Sequence, residues 1–218
     1  VGVLGAGLMG GGISWLVAHH VGSVRMKDLN WDALAKGFSS ASSVFKKMKE
    51  KKKITSREIE LQMLRISGTT DFSGFQRADM VIEAVVENMA VKKKVFSEVE
   101  EVVSNSCILA SNTSSLSITE MAKDLKYPER FIGMHFFSPV HRMPLVEVIP
   151  GEKTSPETIA TTVQLAKSMK KTPIVVKNCA GFLVNSYGSA LPLTIDAATF
   201  LVAGIVVFSF RGVTAVEN

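Results

Sequence analysis

The chain has 218 residues, 46% of them apolar and 21% charged, which is the balance of an ordinary globular protein and excludes disordered, collagen-like and coiled-coil classes. The formal net charge of +5 lies in residues 46–53, which hold six lysines and one glutamate, so the remaining residues sum to zero. Two cysteines without CxxC or Cys/His spacing predict no metal site, and the longest apolar stretch, 197–210, is shorter than the roughly 20 residues of a membrane span.

The first 28 residues alternate between strand and helix patterns around a glycine-rich turn. Val1 to Leu4 is a short apolar run typical of a buried strand, and apolar residues at helical spacing follow the turn at residues 5–10. Val24 to Asp28 alternates as a second strand does. Because the chain begins inside the first predicted strand, we expect a segment upstream of it.

The same alternation continues to residue 176. Residues 31–64 are predicted to be a helical excursion, with Ser56 as the cap of its second helix. The pattern predicts an α/β fold, a doubly wound parallel sheet with helices on both faces, to which residues 145–149 add an antiparallel strand. We expect a first domain over 1–178 and the start of an incomplete, mainly helical second domain over 179–218. Further strands are predicted at 65–71, 78–86, 107–110, 131–137, 145–149 and 173–176, and further helices at 91–103, 117–125 and from 156 onward.

The lysine-rich segment, Lys46–Lys53, falls at the end of the first helix of the excursion. It fits a solvated helix end and turn, or an anchor for a polyanionic ligand such as a phosphate ester. A nucleic-acid partner is not expected, because no aromatic side chains interleave with these lysines.

The turn after the first strand reads Gly5-Ala-Gly7-Leu-Met-Gly10, the pattern of a dinucleotide-binding Rossmann fold. Gly5 permits the tight turn, Gly7 lets the backbone approach a pyrophosphate, and Gly10 lets helix and strand pack closely. Asp28 lies 23 residues after Gly5, where an acid would bind the ribose hydroxyls, and no arginine follows it, which favours NAD over NADP. A glycine turn without a ligand is the alternative. Leu8 and Met9 complete the cofactor-binding stretch, although the Met9 side chain is expected in the core.

Six sequence motifs follow one another between residues 28 and 185. They resemble the 3-hydroxyacyl-CoA dehydrogenases, and most of all the dehydrogenase part of the multifunctional fatty-acid oxidation alpha subunits. That resemblance implies NAD-dependent oxidation of the 3-hydroxyl of a 3-hydroxyacyl-CoA to a 3-ketoacyl-CoA in β-oxidation. The motifs are Asp28–Asn30, Ile82–Asn88, Ser111–Leu116, Gly133–Pro139, Thr172–Lys177 and Gly181–Asn185.

The resemblance also implies roles for single residues. His135 corresponds to the catalytic base and Glu147 to the carboxylate that pairs with it. Ser114 corresponds to the serine that hydrogen-bonds the substrate oxygen, and Asn185 to the asparagine that completes the site. Of the remaining matches, Glu87 and Lys92 correspond to positions near the nicotinamide and its ribose, and Asn112 to one near the nicotinamide.

The chemistry of these residue types supports the assignment independently. Oxidation of a secondary alcohol needs a base poised near neutrality, which histidine supplies, and a carboxylate would fix its tautomer. An unpaired Glu147 among apolar neighbours would be costly, so His135 is its expected partner. The alternatives are a packed core histidine at 135 and a loop or capping serine at 114. Glu83 is expected to be a half-buried strand acid rather than a cofactor contact.

The end of the chain departs from the family pattern. Ser186 stands where the family has arginine, and only 33 residues follow Asn185. A fragment that binds NAD without turnover is therefore one alternative. A dehydrogenase of another hydroxy acid is a second alternative, but the residues at 114, 135, 147 and 185 argue against it.

The expected partners are an acyl-CoA and either a homodimer through the C-terminal domain or a fused enoyl-CoA hydratase domain. The expected compartment is the bacterial cytoplasm, with peroxisome or mitochondrion as alternatives.

Overall fold

Short apolar runs at regular intervals form the strands of one sheet in the computed structural model, which describes residues 1–176. The helices between them begin at Ser, Thr or Asn caps in five of the six described cases. The strands are β1 (Gly2–Leu4), β2 (Val24–Lys27), β3 (Ile66–Thr69), β4 (Met80–Glu83), β5 (Ile108–Ser111), β6 (Phe131–Phe136), β7 (Leu145–Pro150) and β8 (Thr172–Val175), and the helices are α1 (Leu8–His20), α2 (Trp31–Glu50), α3 (Ser56–Met63), α4 (Met89–Glu100), α5 (Ile118–Ala122) and α6 (Pro156–Ser168).

The sheet has the order β3-β2-β1-β4-β5-β6-β7-β8. All neighbouring strands are parallel except β6 and β7, which pair antiparallel. The predicted doubly wound α/β fold and the antiparallel strand at 145–149 are therefore confirmed. The strand order reverses between β1 and β4, and ligands of such sheets bind at the carboxyl edge beside this switch point.

Helices cover both faces of the sheet and enclose two hydrophobic cores. Neighbouring strand residues alternate between the cores: Val3 belongs to the core under α1, α2 and α6, and Leu4 to the core under α4 and α5. Cys107 is buried in the second core, and burial raises the pKa of its thiol to about 11, so it is an unreactive packing residue.

The prediction that Ser56 caps the second helix of the excursion was wrong, because Thr55 is the cap. The Thr55 hydroxyl accepts from the Glu58 amide at 3.2 Å, and the Glu58 carboxylate accepts from the Thr55 amide at 2.7 Å. This reciprocal capping box satisfies two amides that the helix leaves unpaired. The strand predicted over 78–86 is also shorter, since only Met80–Glu83 pairs in the sheet.

The lysine-rich segment, Lys46–Lys53, ends α2 and forms the turn that follows it, and its lysines are exposed.

No helix in the described part of the chain is long and apolar enough to cross a membrane. Cys179, Asn185 and the predicted second domain lie outside the described residues, and the boundary at 178 stays a prediction.

Two glycines make the first turn possible. Gly5 has a φ of +95°, and a Cβ built on it would lie 2.5 Å from the Ala84 carbonyl oxygen. A Cβ on Gly10 would lie 1.8 Å from the Gly5 carbonyl oxygen, so helix α1 packs directly on the end of β1. Gly7 has an ordinary φ of −71°, and a Cβ there would meet nothing within 4 Å.

Gly10→Ala is therefore expected to destabilise the fold by at least about 3 kcal/mol, because its Cβ would collide with rigid backbone. Thermal unfolding should begin roughly 6–12 °C lower for a domain of this size. Gly7→Ala is the matched control, and its melting temperature should equal that of the wild type. Equal melting temperatures for both variants would contradict the described packing of α1 on β1.

Aromatic rings pack around the second half of α1. The Trp15 ring stacks on His19 with centroids 5.5 Å apart and meets His20 and His141 edge-on. Burial, followed by the charges of His19, Lys171 and Lys170, lowers the pKa of His20 to about 4. His19 and His20 thus pack with Trp15 around the end of α1.

This lowered pKa predicts acid sensitivity. Between pH 6.5 and 4 the unfolded chain protonates His20 whereas the folded chain does not, so stability falls as the pH falls through this window. Urea unfolding should show that the free energy of unfolding decreases less between pH 7 and pH 5 for His20→Gln than for the wild type. Carboxylates titrate in both proteins, so an identical decrease in the two would refute the prediction.

Candidate active site

The candidate site residues lie at or just after the carboxyl ends of four parallel strands, β1, β4, β5 and β6. The register pairs Leu4 with Glu83 and Glu83 with Ser111, so these strand ends lie side by side. The glycine turn, the segment after Glu83 and the loop 112–115 therefore share one edge of the sheet. His135 lies next to the last residue of β6, at the same edge.

The Asp28 side chain holds the glycine turn through a hydrogen bond from a backbone amide. One Asp28 carboxylate oxygen accepts from the Ala6 amide at 2.6 Å, and the other accepts from the Leu29 amide at 2.7 Å. A carboxylate oxygen has lone pairs for further donors, so this half-buried acid can still accept from ribose hydroxyls. The neighbouring Lys27 ammonium lies 4.6 Å from the centre of the Phe72 ring.

The start of α1 fits a dinucleotide phosphate. Gly7 is the N-cap, no side chain caps the first turn, and no acidic residue lies in it. The backbone N–H groups of such a helix start attract phosphate, and the open space at Gly7 lets a ligand approach the chain. Leu8 is 73% exposed beside this space, whereas Met9 packs against the core as expected.

Glu83 is completely buried, and not half-buried as expected, because three partners satisfy its carboxylate. The Lys92 ammonium from α4 donates to Oε1 at 2.6 Å, and the Val85 amide donates to the same oxygen at 2.7 Å. The Ser111 hydroxyl donates to Oε2 at 2.6 Å. Lys92 is itself only 1% exposed, which a lysine tolerates when it is paired in this way.

Glu87 joins this ion pair to the loop after β5. Its Oε2 lies 3.1 Å from the Lys92 ammonium, while Oε1 accepts from the Thr113 hydroxyl and from the Ser114 amide at 3.0 Å. Burial opposes ionisation of Glu87, but the hydrogen bond from Thr113 and the Lys92 charge outweigh it and keep the pKa of this carboxyl below its usual value. Glu87 is thus a fixed negative charge around which the loop is wrapped.

Asn112 connects this loop to the next strand. Its backbone amide donates to the Glu83 carbonyl at 2.8 Å, and its side-chain oxygen accepts from the Phe136 amide at 2.8 Å. Asn112 therefore spans the ends of β4, β5 and β6. The exposed Ser114 hydroxyl lies two residues further along the same loop, 3.5 Å from Glu87 Oε1.

His135 and Glu147 form a cross-strand pair. The antiparallel register of β6 and β7 places the two residues opposite each other, and His135 Nδ1 lies 2.8 Å from Glu147 Oε2. The Glu147 side chain is 6% exposed and the imidazole 15% exposed. With Nδ1 occupied by the carboxylate, Nε2 is the ring nitrogen that can accept a proton from a ligand.

The structure thus brings the predicted residues together in three connected groups: the glycine turn with Asp28, the Glu87–Lys92 pair with the loop 112–115, and the pair of His135 with Glu147. Asn185 lies outside the described residues. Sequence reasoning missed Ser111 and Thr113 as hydrogen-bonding residues of the edge. Their hydroxyls sit beside Asn112 and Ser114 in one polar run after a buried strand, which was the available signal.

Within residues 1–176, no group of three or more His, Cys, Asp or Glu side chains lies close enough to hold a metal ion. The chemistry that this edge can perform is that of a paired imidazole, a hydroxyl and a dinucleotide-binding turn.

Comparison of sequences gives a family match. The model of the NAD-binding domain of 3-hydroxyacyl-CoA dehydrogenase matches residues 1–179. A relative from Psychrobacter arcticus, the fatty acid oxidation complex subunit alpha, is 53% identical over 183 residues, which is 84% of this chain and 26% of the relative. The chain therefore spans about a quarter of the length of this relative.

Comparison with solved structures agrees. A 3-hydroxybutyryl-CoA dehydrogenase from Escherichia coli is 36% identical with a TM-score of 0.81, over 84% of this chain and 39% of that one. An (S)-3-hydroxybutyryl-CoA dehydrogenase from Ralstonia eutropha is 39% identical with a TM-score of 0.83, over 94% of this chain and 71% of that one. Both fold and sequence are thus shared with dehydrogenases that act on 3-hydroxybutyryl-CoA.

Proposed function

The chain belongs to the 3-hydroxyacyl-CoA dehydrogenase family, of which it carries the NAD-binding domain, and we propose that it oxidises the 3-hydroxyl of a 3-hydroxyacyl-CoA to a ketone in fatty-acid β-oxidation. The observation that carries this proposal is the contact between His135 and Glu147 at the sheet edge that also bears the dinucleotide turn. A secondary alcohol must lose a proton from oxygen and a hydride from carbon, and this edge offers a base for the first.

His135 is the proposed catalytic base. Its Nε2 takes the hydroxyl proton of the substrate, while Glu147 at Nδ1 fixes the tautomer and stabilises the imidazolium that forms. NAD, when bound, accepts the hydride. Ser114 is proposed to hydrogen-bond the reacting oxygen, and Asn185, outside the described residues, to complete the site.

The proposed cofactor contacts follow the strand ends. Gly5, Gly7 and Gly10, with Leu8 and Met9 between them, hold the pyrophosphate at the start of α1. Asp28 accepts from the adenosine ribose and would repel a 2′-phosphate. Glu87, Lys92 and Asn112 lie on the other side of the switch point, where the nicotinamide and its ribose are proposed to sit.

His135→Gln is expected to lower kcat by roughly 10²- to 10⁴-fold, the contribution of a positioned general base. Glu147→Gln should lower kcat by about 10²-fold, because an amide holds the ring without stabilising its charge. Both should bind NAD as the wild type does. The assay is NADH formation with 3-hydroxybutyryl-CoA, together with NAD titration and thermal melting.

Glu152→Gln is the matched control, since Glu152 is an exposed glutamate just after β7, and its kcat should equal that of the wild type. A wild-type chain that binds NAD without any turnover would refute the enzyme proposal and favour the alternative, a cofactor-binding fragment. Turnover that needs no CoA on the hydroxy acid would favour a dehydrogenase of another substrate class.

The lysine-rich segment is the proposed contact for the phosphates of the CoA ester. Lys49→Gln combined with Lys51→Gln should raise KM for the CoA ester about 5-fold at low salt, with a smaller effect at high salt, because exposed charges are screened. The NAD affinity should not change. Lys94→Gln combined with Lys123→Gln removes the same charge from exposed positions on α4 and just after α5, and should leave KM unchanged. Equal effects of the two double variants would rule out a specific contact.

The relatives that match are alpha subunits of a fatty acid oxidation complex. We infer from them either a fused enoyl-CoA hydratase domain or a homodimer formed through the C-terminal domain, and a bacterial cytoplasmic setting. An acyl-CoA is the proposed substrate partner.

A further inference from the structure

Glu83 is an acidic residue at a position where the sheet is expected to be apolar. The three residues before it in β4, Met80 to Ile82, are buried and apolar, as expected for a parallel strand covered on both faces. Glu83 is equally buried, with no exposed surface. Replacing a buried ion pair by apolar side chains is often neutral or stabilising, so stability alone does not account for a carboxylate here.

The contacts of Glu83 lead to the exposed edge by two routes. In the first, the Lys92 ammonium lies 2.6 Å from Glu83 Oε1 and 3.1 Å from Glu87 Oε2. Glu87 Oε1 in turn accepts from the Ser114 and Ser115 amides at 3.0 and 3.3 Å. In the second, Ser111 donates to Glu83, and the Ser111 hydroxyl accepts from the Thr113 amide at 3.3 Å.

Both routes end on the same three-residue segment, Thr113–Ser115. The Thr113 side chain is completely buried, whereas Ser114 is exposed, so the segment turns outward at the residue proposed to touch substrate. The Ser114 and Ser115 amides donate to Glu87, and Glu87 has a second contact, to the Lys92 ammonium that is paired with Glu83. The contacts of the segment that carries Ser114 thus lead back to Glu83, which is buried under the sheet edge.

We propose that Glu83 is a positioning residue, which fixes Lys92 and Ser111 and through them Glu87 and the segment Thr113–Ser115, so that Ser114 is presented to the substrate. This inference rests on the proposed function for its catalytic consequence. Its structural consequence, an ordered segment 113–115, is independent of activity and can be measured separately.

Glu83→Gln is the main variant, because glutamine keeps the shape and removes the charge. Amide hydrogen exchange measured by NMR should be at least about 10-fold faster at Ser114 and Ser115, since the free energy that protects them falls. Where the wild type turns over, kcat should fall by about 10²-fold, the cost of a small misplacement of a reacting contact, while the affinity for NAD changes less than 3-fold. Glu83→Asp, which keeps the charge on a shorter side chain, should recover part of kcat.

Glu120→Gln is the matched control. Glu120 pairs with Lys93 and Lys123 on the surface, so the change removes a carboxylate from an exposed ion pair. Exchange at Ser114 and kcat should both stay at wild-type values in this variant. A general loss of stability in Glu83→Gln would instead accelerate exchange throughout the domain, including the core strand β5, and would contradict a positioning role.

The outcomes separate the two proposals. A wild type without turnover refutes the proposed function, and the exchange data still decide on Glu83. Unchanged exchange at Ser114 and Ser115 in a folded Glu83→Gln overturns the inference whether or not the enzyme is active.

If Glu83→Gln does not fold, Ser111→Ala removes one of the two routes and leaves the ion pair intact. Unchanged exchange at Thr113 in that variant would likewise overturn the inference.

Discussion

The parallel pairing of β1 with β4, of β4 with β5 and of β5 with β6 is the constraint on which the site depends. It brings Glu83 and Ser111, which are 28 positions apart in the sequence, into one register at one edge. Strand ends have no further ladder partners, so their polar groups must pair with side chains or with water. Asp28 accepts from the Ala6 amide in the turn after β1, and Asn112 accepts from the Phe136 amide at the end of β6, so these side chains pair with backbone groups at the edge.

Buried charge is tolerated at this edge because each charged group has a partner of defined geometry. Glu147 lies in an apolar strand and is paired with His135, while Glu83 lies in another and is paired with Lys92. In both cases a more exposed group lies next to the buried pair or belongs to it. The His135 imidazole contacts Glu147 directly, whereas Glu87 contacts the Lys92 ammonium that is paired with Glu83. A water-excluded carboxylate acts strongly on its partner, because the local dielectric constant is low.

Much of the fold and part of the site could be predicted from the sequence, because their signals are local. Alternating strand and helix patterns gave the doubly wound sheet. The pair of His135 and Glu147 lies within one antiparallel hairpin, so twelve positions of separation suffice to place the two opposite each other. The helix cap shows a local signal that was passed over: Thr55 and Ser56 both carry hydroxyls, but only Thr55 has a glutamate three residues later, as a capping box requires.

The supporting residues could not be predicted in the same way, because their roles depend on contacts between distant elements. Lys92, Lys93 and Lys94 are chemically identical, yet their side chains are 1%, 23% and 79% exposed. Only the rotation of α4 against β4 decides which of them meets Glu83, and that rotation is set by packing of the whole domain. The residues proposed to react can therefore be identified from motifs, whereas the residues that hold them in place can be identified only in the fold. Glu83, Glu87, Lys92, His135 and Glu147 all have ion-pair partners within residues 1–176, so the described part of the chain itself supplies the contacts that hold these side chains.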